Sequence, residues 1–195
     1  MMKVFKTLML CVSIFVVAGC ATRSGTSSKL GNYNEKLRTI SVAYKGEMFK
    51  NENMNKKLER YNIQKVGQYL LATTPGAFAK AGVHADYKTF GPDMDVSMRN
   101  EKQPLLIISP ASALTGRWAN DENAKSSGSS LEPVKVGFDV VVFDPSINKN
   151  VWTADFSLVV GGLLYGVFDE KLTASFLDSI VAKLTDDGLI AKAQP

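Results

Sequence analysis

Residues 134–160 read VKVGFDVVVFDPSINKNVWTADFSLVV, and this stretch decides the fold. Apolar side chains occupy every second position on both sides of a polar turn at 144–150. Before the turn they are Val134, Val136, Phe138, Val140 and Val142; after it they are Trp152, Ala154, Phe156, Leu158 and Val160. A period of two is typical of strands that bury one face. The stretch therefore predicts a β-hairpin with a single apolar face.

The sequence after the hairpin predicts a helix that begins near Asp169 and ends at Asp187-Gly188. Its apolar stripe recurs at three- and four-residue steps, and Asp is a favoured N-cap residue. The stripe consists of Leu172, Phe176, Leu177, Ile180, Val181 and Leu184. Gly188 is a typical helix stop, after which Leu189 and Ile190 can pack back on the core.

The sequence before the hairpin predicts strands at 39–44, 83–90 and 105–109, and a helix over 53–71 that Pro75-Gly76 ends. Polar loops are expected at 91–103 and 119–133. Two amphipathic helices and several strands are most simply combined by covering one face of a sheet. We therefore predict an α+β fold, with a mostly antiparallel sheet and two amphipathic helices packed on one face.

The N-terminus reads as a leader. Lys3 and Lys6 precede an apolar run at 8–18, which is shorter than the roughly 20 residues that a membrane-spanning helix needs. The residues that follow, Val17-Ala18-Gly19-Cys20, resemble the lipobox of bacterial lipoproteins, with Val in place of the usual Leu. The alternatives are an N-terminal membrane helix, or a plain secretory signal with an incidental cysteine.

The lipobox resemblance implies that the leader 1–19 is cut off and that Cys20 carries a diacylglycerol and an acylated amine. In the proteobacterial lipoproteins that it resembles, the next residue directs sorting, and Ala21 implies the outer membrane. We expect residues 20–38 to be the lipidated Cys with a flexible polar tether, and residues 39–195 to form a single periplasmic domain.

The composition excludes several classes of site. The 195-residue chain has a net charge of +4, which falls to +2 without Lys3 and Lys6, so charge gives no case for nucleic-acid binding. Both cysteines lie at or before position 20, which leaves none for a disulfide or a thiolate site in the domain. We predict no cofactor and no metal site.

Catalytic motifs are weak. His84 is the only histidine, and its place in a strand favours an exposed side chain over a Ser-His-Asp triad. Asp93 and Asp95 could begin a calcium loop, but Met98 and Pro104 stand where an EF-hand has Gly and Glu. We predict no catalytic residue.

An apolar segment between glycines is the most unusual feature after the hairpin. It comprises Gly161, Gly162, Leu163, Leu164 and Tyr165. An exposed segment of this kind can contact acyl chains or a partner protein, and a buried one is the bend between strand and helix. These five residues are our candidate partner contacts, together with the loops at 91–103 and 119–133.

The order of elements resembles that of small outer-membrane lipoproteins. The resemblance rests on the turn from Asp144-Pro145 to Val151-Trp152, on the helix end L-x-x-D-G-L-I at 184–190, and on a short lipid tether ahead of a β-α-β start. These proteins include auxiliary lipoproteins of ABC-type lipid transporters, lipoprotein activators of penicillin-binding proteins and the core of the curli-secretion lipoprotein. The resemblance implies a non-catalytic accessory module that binds an envelope protein complex or a cell-wall or lipid component. The alternative is an envelope hydrolase.

Overall fold

The computed structural model describes residues 22–46, 52–90, 94–115, 133–161 and 166–192, without the side chains of residues 94–96 and Thr115. The strands are β1 (Arg23–Lys29), β2 (Thr39–Tyr44), β3 (His84–Lys88), β4 (Leu105–Thr115), β5 (Val134–Asp144) and β6 (Lys149–Val160). The helices are α1 (Glu52–Glu59), α2 (Val66–Ala79), α3 (Met94–Arg99) and α4 (Glu170–Asp186). A single 3-10 turn at Ile63–Lys65 leads into α2. None of the helices within these ranges is long and apolar enough to cross a bilayer.

The six strands form one mixed sheet in the order β1-β6-β5-β4-β2-β3. The pairs β1–β6, β6–β5 and β5–β4 are antiparallel, whereas β4–β2 and β2–β3 are parallel. Parallel strands need a crossover connection: α1 and α2 lie in the connection between β2 and β3, and α3 lies in the connection between β3 and β4. The α+β prediction is confirmed, with a mixed sheet.

The predicted hairpin is confirmed. In β5 and β6 the two sets of alternating apolar side chains are all buried, and Trp152 is only 1% exposed. They face α2 and α4, which pack together over the same side of the sheet. Phe176 of α4 stacks at 5.1 Å from Phe138 and at 5.8 Å, edge-on, from Phe156. This side of the sheet holds the main core.

The ends of α4 also follow the prediction. The Asp169 side chain accepts a hydrogen bond of 2.7 Å from the Leu172 amide, as an N-cap does. Gly188 takes a φ of +77°, and Leu189 and Ile190 are then buried.

The expected tether differs from the structure. Residues 23–29 form strand β1 on the outer edge of β6, and Tyr33 and Leu37 beyond it are buried in the core. The Tyr33 hydroxyl donates to Asp144 at 3.0 Å, which fastens this segment to the hairpin turn. Residues 23–38 therefore belong to the folded domain.

Four other features differ from the prediction. The helix expected over 53–71 is split, because Asn62 takes a left-handed φ of 62° and a 3-10 turn follows. Helix α2 then continues through Pro75; the carbonyl that loses its partner belongs to Leu71, which is exposed to solvent. The expected loop at 91–103 contains α3, and β4 extends past Pro110 to Thr115 by means of a bulge.

Candidate functional site

The face of the sheet opposite α2 and α4 is only partly covered. On its β2–β4 side, Met98 of α3 and Phe90 pack on a small apolar cluster of Ala43, Leu105, Ile107 and Phe143. On its other side, β4, β5, β6 and β1 line a groove of about 430 Å³. We call this the open-face groove. It is a concave surface, formed by described residues, that can receive a ligand or partner.

Two bulges and a glycine make the groove concave. The register of β1 shifts between Ser24 and Ser27, and that of β4 shifts between Pro110 and Ser112. Bulges bend a strand and increase its twist. Gly137 lies on the groove floor, where a Cβ atom would collide with the Ser112 hydroxyl. The Ser112 hydroxyl therefore packs directly over Gly137, where any larger residue would displace it.

The strand register arranges the groove in three rows. In the first row, next to the β5 start, Leu114, Lys135 and Val159 are neighbours. The second row contains Ser112, Gly137, Ser157 and Arg23. The third row contains Asp139 opposite Asp155. Basic and apolar side chains thus lie at one end of the groove, and carboxylates lie farther along it.

The paired carboxylates are the most chemically distinct feature of the groove. Asp139 and Asp155 are direct cross-strand partners, and both are exposed. Thr26 Oγ1 donates to Asp155 at 3.1 Å, whereas the Asp139 side chain has no hydrogen bond or ion pair with any other residue that the structure describes. Like charges placed directly opposite each other destabilise a sheet. The pair can accept hydrogen bonds from hydroxyl or ammonium groups of a ligand.

A second polar cluster lies near the far edge of the sheet. Ser41 is fully buried, and its hydroxyl donates to Asp86 at 2.9 Å. The Gln103 amide nitrogen donates to the same carboxylate oxygen at 2.9 Å. His84, two residues before Asp86, is exposed. A serine that donates straight to a carboxylate lacks the intervening imidazole of a Ser-His-Asp triad, so this cluster satisfies a buried serine.

A third polar contact ties α4 to the hairpin. The Trp152 indole donates to the Asp187 carboxylate at 2.7 Å, and Lys183 Nζ lies 3.5 Å from the same group. Burial raises the pKa of Asp187, but hydrogen bonds from Trp152 and Ser27 and the charge of Lys183 outweigh it and lower the pKa below the usual value of 3.8. Asp187 also links β1 to the end of α4.

Most of the residues predicted for the site lie outside the described ranges. These are Cys20, Ala21, Gly162, Leu163, Leu164 and Tyr165, the loop residues 119–132, and Asp93. Gly161 is described and is buried. Its amide donates to the Gly166 carbonyl at 2.8 Å, and a Cβ on it would lie 2.7 Å from the Tyr61 ring. Gly161 is therefore a packed bend and offers no contact surface of its own.

Within the described ranges, no group of three or more His, Cys, Asp or Glu side chains is placed to hold an ion.

The open-face groove itself was missed in the sequence. Lys135, Asp139 and Asp155 occupy the polar positions of the hairpin alternation, so their shared face was readable. Arg23 and Ser24 belong to a segment for which the sequence predicts a tether. The concave shape of the groove depends on strand β1 and on two bulges, which the sequence pattern does not predict. The signal that could have indicated a site is the like-charged pair at facing hairpin positions.

Similarity to known proteins is limited to the fold. No protein-family model matches it, and no curated protein sequence matches it significantly. Among solved structures, it is similar to the PelC dodecamer from Paraburkholderia phytofirmans, with 12% identity and a TM-score of 0.43, covering 89% of this chain and 98% of that one.

Two other solved structures are similar to the chain over most of their length. Lipoprotein GNA1162 from Neisseria meningitidis has 11% identity and a TM-score of 0.34, covering 76% of this chain and 98% of that one. A hemagglutinin homolog from Helicobacter pylori, described as neuraminyllactose-binding, has 8% identity and a TM-score of 0.24, covering 82% of this chain and 91% of that one. The solved structures that the chain resembles thus include a lipoprotein.

Proposed function

We propose that the chain is an outer-membrane lipoprotein, anchored by acyl chains on Cys20, whose folded domain is a non-catalytic binding module of an envelope assembly. The observation that carries the proposal is the junction of leader and fold. A lipobox-like sequence ends at Cys20, and strand β1 begins at Arg23. A cleavage site followed at once by a folded strand suits a membrane-held domain.

The mechanism is recruitment at the membrane surface. Three residue steps join Cys20 to Arg23, and an extended chain of that length spans at most about 11 Å. The domain is thus held against the bilayer, where confinement raises its effective concentration for partners in the same layer. The partner is an envelope protein complex or a cell-wall or lipid component, and the open-face groove is the surface that receives it.

Labelling with radioactive or alkyne-tagged palmitate tests the anchor. Wild-type protein is expected to take up label. Cys11→Ala is the control and is also expected to take up label, because position 11 lies in the leader that is removed. Cys20→Ala is expected to take up none and to remain as an uncleaved or mislocalised precursor, because the acceptor thiol is missing. Label that persists in Cys20→Ala would overturn the proposal.

The second candidate is an envelope hydrolase. One observation favours it: Asp139 and Asp155 face each other across β5 and β6 in an open groove. Pairs of carboxylates, one acid and one nucleophile or base, cleave glycosidic bonds. Hydrolysis of cell-wall polysaccharide by the purified domain discriminates between the two. An enzyme is expected to hydrolyse the polymer and to lose that activity in Asp139→Asn or Asp155→Asn, whereas a binding module is expected to show no hydrolysis in wild type. Substitution of His84, and of Asp93 together with Asp95, is expected to abolish function in an enzyme and to be tolerated by a binding module.

A further inference from the structure

Strand polarity places one end of the sheet beside the lipid anchor. Arg23, the first residue of β1, is paired with Ser157 near the end of β6. At the same end β4 finishes at Thr115, β5 begins at Val134 and β6 finishes at Val160, and these three residues are in register. The opposite end is the β5–β6 turn, about 33 Å away along the eleven residues of β5.

The open-face side of this end is basic and apolar. Leu114 is 55% exposed, one of the few large apolar side chains that the described residues leave in solvent. It is the cross-strand neighbour of Lys135, which is also paired with Val159, and Arg23 is exposed two residues farther along the groove. We call Arg23, Leu114, Lys135 and Val159 the anchor-end patch.

Acidic and basic side chains are distributed unevenly between the two ends of the sheet. Asp139 lies four residues beyond Lys135 on β5, which places this acid about 13 Å farther from the anchor end. On the helix side of the same end, Asp169 and Glu170 are exposed at the start of α4. Lys135 and Arg23 therefore lie on the open face at the anchor end, whereas Asp139 and Asp155 form the next row of the groove beyond Arg23.

We propose that the anchor-end patch docks on the headgroup layer of an anionic phospholipid membrane, so that the open face of the sheet leans toward the bilayer. The inference rests on the proposed lipidation of Cys20, because a link of about 11 Å leaves no room for the domain to stand away. Lys135 and Arg23 pair with lipid phosphates, and Leu114 enters the headgroup boundary. Docking of this kind occupies the anchor end of the groove and leaves the end with Asp139 and Asp155 to meet partners.

Fluorescence quenching tests the docking on the intact, acylated protein. The mature sequence has no cysteine after Cys20, so Leu114→Cys and Ile147→Cys each accept one environment-sensitive dye. Ile147 is the matched control, because it is 46% exposed and lies in the turn at the far end of the hairpin. Each labelled protein is reconstituted in phosphatidylcholine vesicles that contain phosphatidylglycerol and a lipid with a headgroup-level quencher.

The dye at position 114 is expected to be quenched several-fold more strongly than the dye at 147. Equal quenching at the two positions in vesicle-bound protein would overturn the docking and leave the anchor intact. Protein that lacks acyl chains and does not bind the vesicles would instead overturn the proposed function, so the two failures are distinguishable.

Charge reversal tests the electrostatic part. Lys135→Glu is expected to shift the equilibrium from docked to undocked by at least about fivefold, since each basic residue near an anionic surface contributes about that factor. Lys149→Glu, an equal change in net charge at the exposed far end of β6, is expected to leave the quenching at 114 unchanged. Equal effects of the two reversals would contradict the docking.

Discussion

The indole of Trp152 fills the core and also binds a carboxylate. Its ring is 1% exposed on the buried face of β6, and its N–H donates to Asp187 at 2.7 Å. A position on the apolar face of the hairpin was expected from the alternation, but the acceptor was not, because Asp187 lies 35 residues away. An exposed Trp152 at the strand start that contacts a partner, the alternative to a core position, is excluded by this burial.

Trp152→Ala is expected to destabilise the domain by about 3–5 kcal/mol, because loss of a large buried aromatic leaves a cavity. Trp152→Phe keeps most of the ring but loses the hydrogen bond to a charged acceptor, so about 1.5–3 kcal/mol is expected. Urea unfolding of the domain expressed without residues 1–20 measures both. Ile147→Ala, at an exposed turn, is the control, expected within about 0.5 kcal/mol of wild type. A wild-type midpoint for Trp152→Ala would refute the packing.

Asp187 makes stability depend on pH. Its pKa is lowered in the folded domain, so its charged form stabilises the fold above the unfolded pKa, near 3.8, and this contribution is lost as the pH falls through the folded pKa. We expect Asp187→Asn to be less stable than wild type at neutral pH, with a difference that shrinks as the pH falls below 3.8. Urea midpoints measured from neutral to acid pH test this; a difference independent of pH would contradict it.

At the scale of elements, the connection from β6 to α4 depends on Gly161. Gly161 takes a φ of +78°, a conformation that L side chains rarely adopt, and its position against the Tyr61 ring leaves no room for a Cβ. The connection is closed by the hydrogen bond from Gly161 to Gly166, and Phe168 then donates its amide to the Tyr61 carbonyl at 2.9 Å. The bend, the Tyr61 ring and the start of α4 thus form one packed unit.

Gly161→Ala is expected to destabilise the domain by at least about 2 kcal/mol, from the strained backbone and the contact with Tyr61. Gly76→Ala is the matched control: it lies in α2 with no atom within 4 Å of its added Cβ, and a helix gains up to about 1 kcal/mol from this exchange. Thermal unfolding of the pair measures the difference. Equal melting temperatures for the two variants would show that Gly161 is not a constrained bend.

The elements with strong periodicity were predictable from the sequence, and those defined by tertiary pairing were not. The hairpin and α4 each bury one regular apolar face, which period-two and period-3.6 patterns predict. Strand β1 reads RSGTSSK and buries no full side chain, so its strand structure comes from pairing with β6 alone. Asn62 breaks the first helix through a backbone conformation that the apolar spacing does not reveal.

The candidate site was less predictable than the fold. The apolar segment 161–165 was conspicuous in the sequence because glycines flank leucines, yet Gly161 proves to be a buried bend. The open-face groove depends on the neighbours that β4 and β1 contribute, and on two bulges that shift the register. Long-range register of this kind is set by packing, which a single sequence does not display.

At the scale of the whole molecule, the first strand relates the proposed anchor site, Cys20, to the sheet. β1 begins three residues after Cys20 and pairs along β6, so the proposed anchor site is close in sequence to the end of the sheet where β4 and β6 finish and β5 begins. The groove opens beside them. A flexible tether would separate anchoring from orientation; with β1 folded onto the sheet, an anchor on Cys20, as proposed, would set both the height and the orientation of the domain.

The most direct test of this account is the intact mass of the protein extracted from separated outer membranes. We expect a chain that begins at Cys20, lacks residues 1–19 and carries the mass of a diacylglyceryl group and an additional acyl chain. An unmodified chain that retains Met1, or one cleaved elsewhere without lipid, would contradict the anchor and with it the placement of the sheet against the membrane. Recovery of the acylated chain from the inner membrane alone would contradict the sorting by Ala21.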